Sequence, residues 1–389
     1  MTRIRQICTD DSLKKIRVNL SDLCHPCAFP AHHLPPPEFA NRIKRLDTLR
    51  TRRSLDAALV ITPVNRYYFT GLEASNGVLL MAASPAFYTD FRYLIMARNS
   101  ISFMPVKKIW RSTDEKDALA KMGKNWRRVG YEGTLGAKRL ATFREALPNV
   151  EWVDITDALN AMRSVKSPAE QRALRAAVHA NDLAFAAVRQ QLSDGMREWD
   201  VRNLVRREMD ILGQGEAFDT IVCAGKNSAE CHHHPDETVI RKNQPVIIDM
   251  GVKRDFYCSD MTRSFCLGPP SPFYRDIYRI VFEANRKAVK AIRPGRVCAD
   301  IDAIARRHIE KAGYGNYFDH SLGHSVGLEV HETPNFAATC KTVLKAGMTL
   351  TVEPGIYLPG RFGIRIEDII LVTRNGCEVL TRTPKGILE

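Results

Sequence analysis

The feature that most constrains this chain is a set of acidic side chains in apolar surroundings. Four acidic residues lie in or directly beside strand-like apolar segments, and a histidine lies in the same half of the chain: Asp249, Asp260, His324, Glu353 and Glu367. Segment 245–265 predicts a β-hairpin with an aspartate in the middle of each strand; Glu353 ends an apolar strand, and Glu367 is predicted inside one. Carboxylates are almost never buried without a partner, because removing one from water costs several kcal/mol. The fold must therefore supply a partner for these carboxylates.

A cation is the simplest partner for four carboxylates that share one region. A single residue of this kind would be explained by an ordinary salt bridge or by a core histidine with satisfied hydrogen bonds. Five of them in this arrangement favour a dinuclear metal site instead. Oxygen-rich ligation with one imidazole suits a fairly hard divalent ion, with manganese first, while zinc, cobalt and ferrous iron also fit.

The chain has 389 residues, which is too long for one ordinary hydrophobic core and indicates two domains. Residues 1–37 are predicted to form an irregular N-terminal extension. It contains the Cys-x-x-Cys pair Cys24 and Cys27, followed by His32 and His33. Such a pair can bind zinc or carry redox chemistry, but no second pair follows at zinc-finger spacing. An irregular arm is the favoured interpretation.

Short apolar strands alternate with helical patterns over residues 38–163, which predicts a smaller α/β domain. The predicted strands are 57–62, 77–82, 86–90, 101–106 and 127–133, and the predicted helices include 115–123 and 136–146. This part of the chain has no cluster of histidines, cysteines or carboxylates that suggests chemistry.

Residues 164–389 predict an α+β domain with antiparallel strands. Its first helix begins at Ser167-Pro168-Ala169-Glu170, which has the pattern of a capping box with proline at the first helical position, and runs to Gly195. Further helices are predicted at about 198–212, 273–292 and 299–312, with strands from residue 245 onward.

Composition excludes several classes of protein. Hydrophobic residues make up 44% and charged residues 26%, which is typical of a globular protein, and no apolar run reaches the roughly 18 residues that span a bilayer. The N-terminus lacks the apolar core of a signal peptide, so we expect a cytoplasmic protein. Ten scattered cysteines do not suggest a disulfide framework. The net charge of +13 is spread out, with no basic run interleaved with aromatics, so a generic basic surface is favoured over a nucleic-acid partner.

The five residues in their order resemble the metal-ligand pattern of the pita-bread metallopeptidases, which include methionine aminopeptidase, aminopeptidase P and prolidase. The surrounding segments match as well: IIDMG, SDMTR, GHSVGLEVHE, VEPGIY and GIRIED. The resemblance covers residues 167–389 strongly, and the preceding domain is similar to the N-terminal domain of the creatinase and prolidase branch. It implies a pita-bread fold for the second domain.

The resemblance also implies a role for each ligand. Asp249 would bind one of two divalent ions, His324 and Glu353 would bind the other, and Asp260 and Glu367 would bridge both. The ions would activate a water molecule for attack on a peptide carbonyl. By the same resemblance Glu353 would also be catalytic, since it would relay a proton from that water to the leaving amine.

Three further residues complete the site that the resemblance implies. Arg365 would brace the acidic cluster from behind. His331 would hold the substrate carbonyl or the tetrahedral intermediate. The second catalytic histidine lies three residues before a proline in the family, which selects His232 with Pro235. Here Cys231 precedes His232, where the family commonly has proline.

The neighbouring histidines receive other predictions. His233 and His234 are expected to face solvent or to lie behind the site. His320, four residues before His324, is a weaker candidate for a place beside it.

The expected function is a metal-dependent exopeptidase that hydrolyses the Xaa-Pro bond at the N-terminus of dipeptides or short peptides, as a homodimer without membrane attachment. A metallo-aminopeptidase of other specificity is less favoured, because methionine aminopeptidase normally lacks the extra domain, and creatinase works without metal. A non-enzymatic pita-bread protein that binds protein or nucleic acid is the alternative from another class, but such relatives lose metal ligands. Prolidase and aminopeptidase P remain open at this point, with a lean towards the dipeptidases.

Overall fold

The first described domain is built on a six-stranded mixed sheet. The computed structural model describes residues 34–109 and 114–385, so the predictions for Cys24, Cys27, His32 and His33 lie outside the described residues. The sheet order is β4-β3-β2-β1-β5-β6, in which β2 is antiparallel to both neighbours and the remaining pairs are parallel. The strands are β1 Ala57–Val60, β2 Val78–Met81, β3 Ala86–Thr89, β4 Val106–Lys108, β5 Arg128–Tyr131 and β6 Glu151–Asp154.

Six helices accompany this sheet, which confirms the predicted α/β class. They are α1 Pro36–Arg52, α2 Pro63–Thr70, α3 Phe91–Ser100, α4 Glu115–Met122, α5 Ala137–Ala146 and α6 Thr156–Ser164. The first two begin with proline at the first turn, where its missing N–H costs nothing.

The predicted strand 101–106 is wrong, because only Val106 belongs to a strand. Ile101 ends helix α3, and its N–H bonds to the carbonyl of Ala97. Ile101 and Met104 are nevertheless buried, so the apolar pattern came from a packed loop rather than from a strand.

The second domain has four long helices: α7 Pro168–Gln191, α8 Glu198–Leu212, α9 Pro272–Ala291 and α10 Cys298–Lys311. The capping box at the start of α7 is confirmed. The hydroxyl of Ser167 accepts from the Glu170 N–H at 3.3 Å, and the Glu170 carboxylate accepts from the Ser167 N–H at 2.9 Å.

Strands of the second domain are antiparallel, as predicted. They are β7 Ile221–Ala224, β8 Pro245–Met250, β9 Lys253–Arg254, β10 Tyr257–Cys258, β11 Met261–Cys266, β12 Gly323–Ser325, β13 Glu332–Phe336, β14 Thr349–Val352, β15 Gly355–Leu358, β16 Phe362–Arg365, β17 Asp368–Val372 and β18 Cys377–Val379. They form sheets β11-β8-β7, β13-β12-β14-β17-β18, β15-β16 and β9-β10.

Two apolar cores hold the two larger sheets of this domain against its helices. One core joins α9 and α10 to the five-stranded sheet, and the other joins α7 and α8 to sheet β11-β8-β7. The described residues of both domains belong to one compact unit. In the described ranges, no helix combines the length and the apolar character needed to cross a membrane.

Two local predictions about the acidic residues are wrong. Asp260 precedes β11 instead of lying inside it, because β8 and β11 stop pairing at Met250 and Met261. Beyond that point the chains separate into the small ribbon β9-β10. Glu367 lies in the break between β16 and β17, where the chain leaves one sheet and enters another; its N–H bonds to the carbonyl of Thr262 on β11.

Candidate metal centre

A cavity of about 1140 Å³ lies where the two domains meet. Its walls include Thr62, Asn65 and Asn160 from the first domain. Every predicted site residue lines it: His232, Asp249, Asp260, His324, His331, Glu353, Arg365 and Glu367. Side chains that are up to 135 positions apart in the sequence therefore reach one space.

The sheet ends explain this convergence. Asp249 is the last but one residue of β8, opposite Thr262 on β11. His324 is the central residue of β12, and Glu353 directly follows β14, which pairs with β12. Strands of two different sheets thus bring their side chains to the same place.

Three of the predicted ligands already offer donor atoms at metal-binding spacing. One ligand atom each of Asp260, His324 and Glu367 lies within 4.8 Å of the other two. His324 Nε2 lies 3.6 Å from Asp260 Oδ2 and 3.3 Å from Glu353 Oε1. Both distances are longer than those of strong hydrogen bonds, and they leave room for an ion among the donor atoms.

Arg365 supports the acidic cluster from one side. Its Nη2 donates to Asp249 Oδ2 at 2.6 Å, and its Nε donates to the hydroxyl of Thr262 at 2.9 Å. That hydroxyl in turn donates to Glu367 Oε2 at 2.7 Å. The second oxygen of Asp249, Oδ1, is buried and has no hydrogen-bond partner among the described residues. An orphaned, buried carboxylate oxygen is what a metal ligand offers.

The carboxylates of the cluster outnumber the cationic side chains that could neutralise them. Burial and the neighbouring carboxylates hold the pKa of Asp260 and of Glu367 well above their ordinary values. Burial lowers the pKa of His324, but its hydrogen bond to Glu353 and the negative charges of Glu353 and Asp260 together outweigh burial and raise the pKa to about 9. A divalent cation would stabilise the ionised carboxylates, so the residues present fit a metal.

All three histidines of the loop at 231–235 line the cavity, but they differ in burial. His232 lines the cavity with an exposed side chain, and His234 is exposed as well. His233 is buried: its Nε2 lies 2.8 Å from Glu198 and its Nδ1 lies 2.9 Å from Glu230. Because His233 is buried but also lines the cavity, the expectation that it faces solvent is wrong, and its place behind the site stays a prediction. Sequence reasoning missed Glu198, because a glutamate at a helix start is ordinary.

His331 and His320 both lie beside the centre. The ring of His331 packs edge-on against that of His324, with centroids 4.2 Å apart. His320 Nε2 lies 3.1 Å from the hydroxyl of Tyr357, which also accepts from Arg365 Nη1 at 2.7 Å. Tyr357 carried no sequence signal of its own, although it ends the VEPGIY segment.

Known proteins resemble this chain along most of its length. Residues 172–374 match Metallopeptidase family M24, and residues 42–165 match the Creatinase/Prolidase N-terminal domain. The Xaa-Pro dipeptidase of Pyrococcus furiosus is 36% identical over 350 residues, which are 89% of this chain and 99% of that protein.

Solved structures agree with the sequence matches. The prolidase from Pyrococcus horikoshii OT3 has a TM-score of 0.85 and 34% identity, and the match covers 89% of this chain and 99% of that one. The X-Pro aminopeptidase from Thermotoga maritima MSB8 has a TM-score of 0.81 and 32% identity, with coverage of 89% and 99%. The resemblance inferred from the sequence is thus confirmed: the chain is a peptidase of metallopeptidase family M24, with a pita-bread domain that follows a creatinase-type N-terminal domain.

Proposed function

We propose that this protein is a dinuclear metal-dependent exopeptidase that hydrolyses the Xaa-Pro bond at the N-terminus of dipeptides or short peptides. The observation that carries the proposal is the close set of buried and partly buried donors from Asp260, His324 and Glu367 in the wall of a substrate-sized cavity. The names of its relatives, Xaa-Pro dipeptidase and X-Pro aminopeptidase, support the substrate class.

The proposed ligand set comprises five residues: Asp249, Asp260, His324, Glu353 and Glu367. Asp249 would serve one ion, His324 and Glu353 the other, and the remaining two would bridge both. The oxygen-rich set suits manganese, and it also accommodates zinc, cobalt or iron. When bound, such ions polarise a carbonyl group and make water a nucleophile at neutral pH.

The chain's own side chains would move the protons and orient the substrate. Glu353 is held by hydrogen bonds from Thr351 and His324, so its carboxylate is fixed at the cavity. We assign it the transfer of a proton from the attacking water to the leaving amine. His331 and His232 line the cavity and would donate hydrogen bonds to the carbonyl oxygen as negative charge develops there.

The proposed substrate suits this arrangement. A peptide bond before proline is a tertiary amide with no N–H, so an enzyme that needs that hydrogen bond cannot position it. A site of cations and imidazoles can instead hold the free amine, the carbonyl oxygen and the proline ring. We propose that Asp260 binds the substrate's N-terminal amine.

Acetylation of the substrate's N-terminus tests this geometry. We expect kcat/KM for an Xaa-Pro substrate to fall at least about a hundredfold on acetylation, about 2.7 kcal/mol of transition-state binding. Xaa-Ala analogues should lose less, about 1–3 kcal/mol, because only part of an apolar contact is removed. Equal rates on free and acetylated peptides would rule out the exopeptidase assignment.

Dipeptidase and aminopeptidase P activity differ in whether the site accepts chain beyond the proline. Assays of one Xaa-Pro dipeptide beside one Xaa-Pro tripeptide separate them.

We also propose a cytoplasmic homodimer. The seven cysteines in the described part of the chain are free thiols, which suits a reducing compartment, and the dimer rests on the family resemblance. Light scattering on the purified protein measures its mass.

A further inference from the structure

A buried ion cluster lies beside the metal centre and contains none of the predicted site residues. Its members are Arg163, Lys166, Glu329 and Glu332. Arg163 Nη2 lies 2.6 Å from Glu329 Oε2, and its Nε lies 3.2 Å from Glu332 Oε1. Lys166 Nζ lies 3.1 Å from the other oxygen of Glu332. The side chains of Arg163, Lys166 and Glu332 are only 5%, 1% and 4% exposed, so three charges are almost fully removed from water.

This ion cluster holds the two segments that carry the site histidines. Glu329 and Glu332 flank His331 in the sequence, two positions before it and one after it. Lys166 also donates to the hydroxyl of Ser325, the residue after His324, at 3.1 Å. Because the rings of His324 and His331 are in contact, a shift of either segment moves both imidazoles.

The ion cluster also reaches the first domain. Arg163 Nη1 donates to Asn65 Oδ1 at 3.2 Å, and Asn65 Nδ2 donates to Glu132 at 2.6 Å. Glu132 further accepts from the Thr62 N–H at 2.8 Å. Asn65 and Thr62 both line the cavity. One guanidinium therefore connects the first domain's wall of the cavity to the segment that carries His331.

Stability alone is a poor explanation for these buried charges. The cost of removing two charges from water often equals or exceeds their attraction, so a buried ion pair is weak evidence of stabilisation. The arrangement depends instead on the planar fork of arginine, which donates to three acceptors on two domains. A lysine carries the same charge on a single nitrogen and cannot reproduce that fork.

We propose that Arg163 is a positioning residue for peptide hydrolysis: its guanidinium fixes the segment 329–332, and with it the direction in which His331 faces the reacting carbonyl. Arg163 lines the cavity, but its nitrogens bond to two carboxylates and one amide of the protein, so we assign it no contact with the reacting atoms. The inference rests on the proposed function, since that function gives His331 its role.

The Arg163→Lys variant tests the proposal in the full-length, metal-loaded protein. It keeps the charge and removes the fork, so kcat on an Xaa-Pro dipeptide should fall about tenfold or more while KM changes less than about threefold. The matched control is Arg175→Lys, which alters a two-pronged pair with Glu378 outside the cavity. The control should retain the wild-type kcat; an equal loss of kcat in both variants would overturn the proposal.

A second readout does not depend on activity. In zinc-loaded protein, the imidazole NMR signals of His331, assigned with His331→Gln, should shift in Arg163→Lys while those of the exposed His179 stay in place. Unchanged His331 signals overturn the proposal whatever the activity. If Arg163→Lys does not fold, the Glu329→Gln variant is measured instead. The side chain of Glu329 is 51% exposed, so the folded protein should tolerate its substitution, and the same His331 signals should move.

An inactive wild-type protein would contradict the proposed function and leave the NMR comparison to decide on Arg163. Normal wild-type activity together with unmoved His331 signals would contradict the positioning role alone. The two failures are therefore distinguishable.

Discussion

At the scale of single residues, the candidate metal centre is marked by buried carboxylates that lie close to one another. Asp249 has one oxygen bound to Arg365 and one without a partner among the described residues. The pKa of Asp260 and of Glu367 is raised by burial and by neighbouring carboxylates. Each of these side chains is unfavourable by itself, and together they fit a pair of cations.

Removal of either carboxylate that we propose as a bridge should abolish turnover. We expect Asp260→Ala and Glu367→Ala to lose essentially all activity, because each would free one coordination position on both ions. His234→Ala should leave kcat within about twofold, since its side chain is exposed and, as proposed, outside the catalytic set. Steady-state kinetics with an Xaa-Pro dipeptide measure all three variants, and an active Glu367→Ala enzyme would refute the bridging assignment.

His233 should make stability depend on pH. Burial lowers its pKa, but Glu230 and Glu198 outweigh burial, so the pKa in the folded protein is raised above its ordinary value. The stabilisation is therefore complete below the unfolded-state pKa of about 6.5 and is lost as pH rises through the folded-state value. Asp236, with an oxygen 4.0 Å away, adds to the same effect.

The measurement is the difference in Tm between wild type and His233→Gln at several pH values from about 6 to 9. The difference should be largest at the acidic end and should narrow as pH rises. A difference that widens with pH would show that His233 folds as the neutral imidazole.

At the scale of elements, the site depends on places where strands stop pairing. Glu367 was predicted inside a strand because its neighbours are β-branched, but the chain changes sheets there. Which sheet a strand joins depends on the whole fold, so no local pattern reveals the break. The start of α7 was predictable, because a capping box consists of four adjacent residues.

Gly251 lies between β8 and the ribbon β9-β10, which leads to Asp260. We predict that only glycine fits at this position. A Cβ at this position would lie 2.2 Å from the carbonyl oxygen of Ser259 and 2.5 Å from the ring of Phe218. Gly251→Ala should therefore lower Tm and metal affinity together, because the backbone carbonyl of Ser259 cannot easily move away from the added methyl group. Gly136→Ala is the control, since no neighbouring atom lies within 4 Å of its added Cβ. Equal Tm values for the two variants would contradict this account.

At the scale of the whole molecule, the contacts that sequence reasoning missed are those that join distant segments. Glu198 and His233 are 35 positions apart, and Arg163 and Glu332 are 169 apart. None of these side chains is unusual in its local sequence, so its partner can be identified only from the folded structure. The acidic residues among the proposed ligands stand out in the sequence because an acid in an apolar segment is unusual by itself.

Both domains contribute to the cavity, so the first domain forms part of the candidate site. Thr62 and Asn65 line the same space as the proposed ligands, although they lie at least 184 positions before them in the sequence. Arg163, in the last turn of helix α6, bonds to residues of both domains. We therefore expect both domains to limit which substrates the cavity accepts.

Metal content measured beside activity tests the central claim most directly. We expect purified, manganese-loaded protein to contain about two divalent ions per chain, and its hydrolysis of an Xaa-Pro dipeptide to disappear with a chelator and return best with manganese. Elemental analysis on the same samples gives the number of ions at each step. A protein that stays fully active while exhaustive chelation leaves it metal-free would contradict the account.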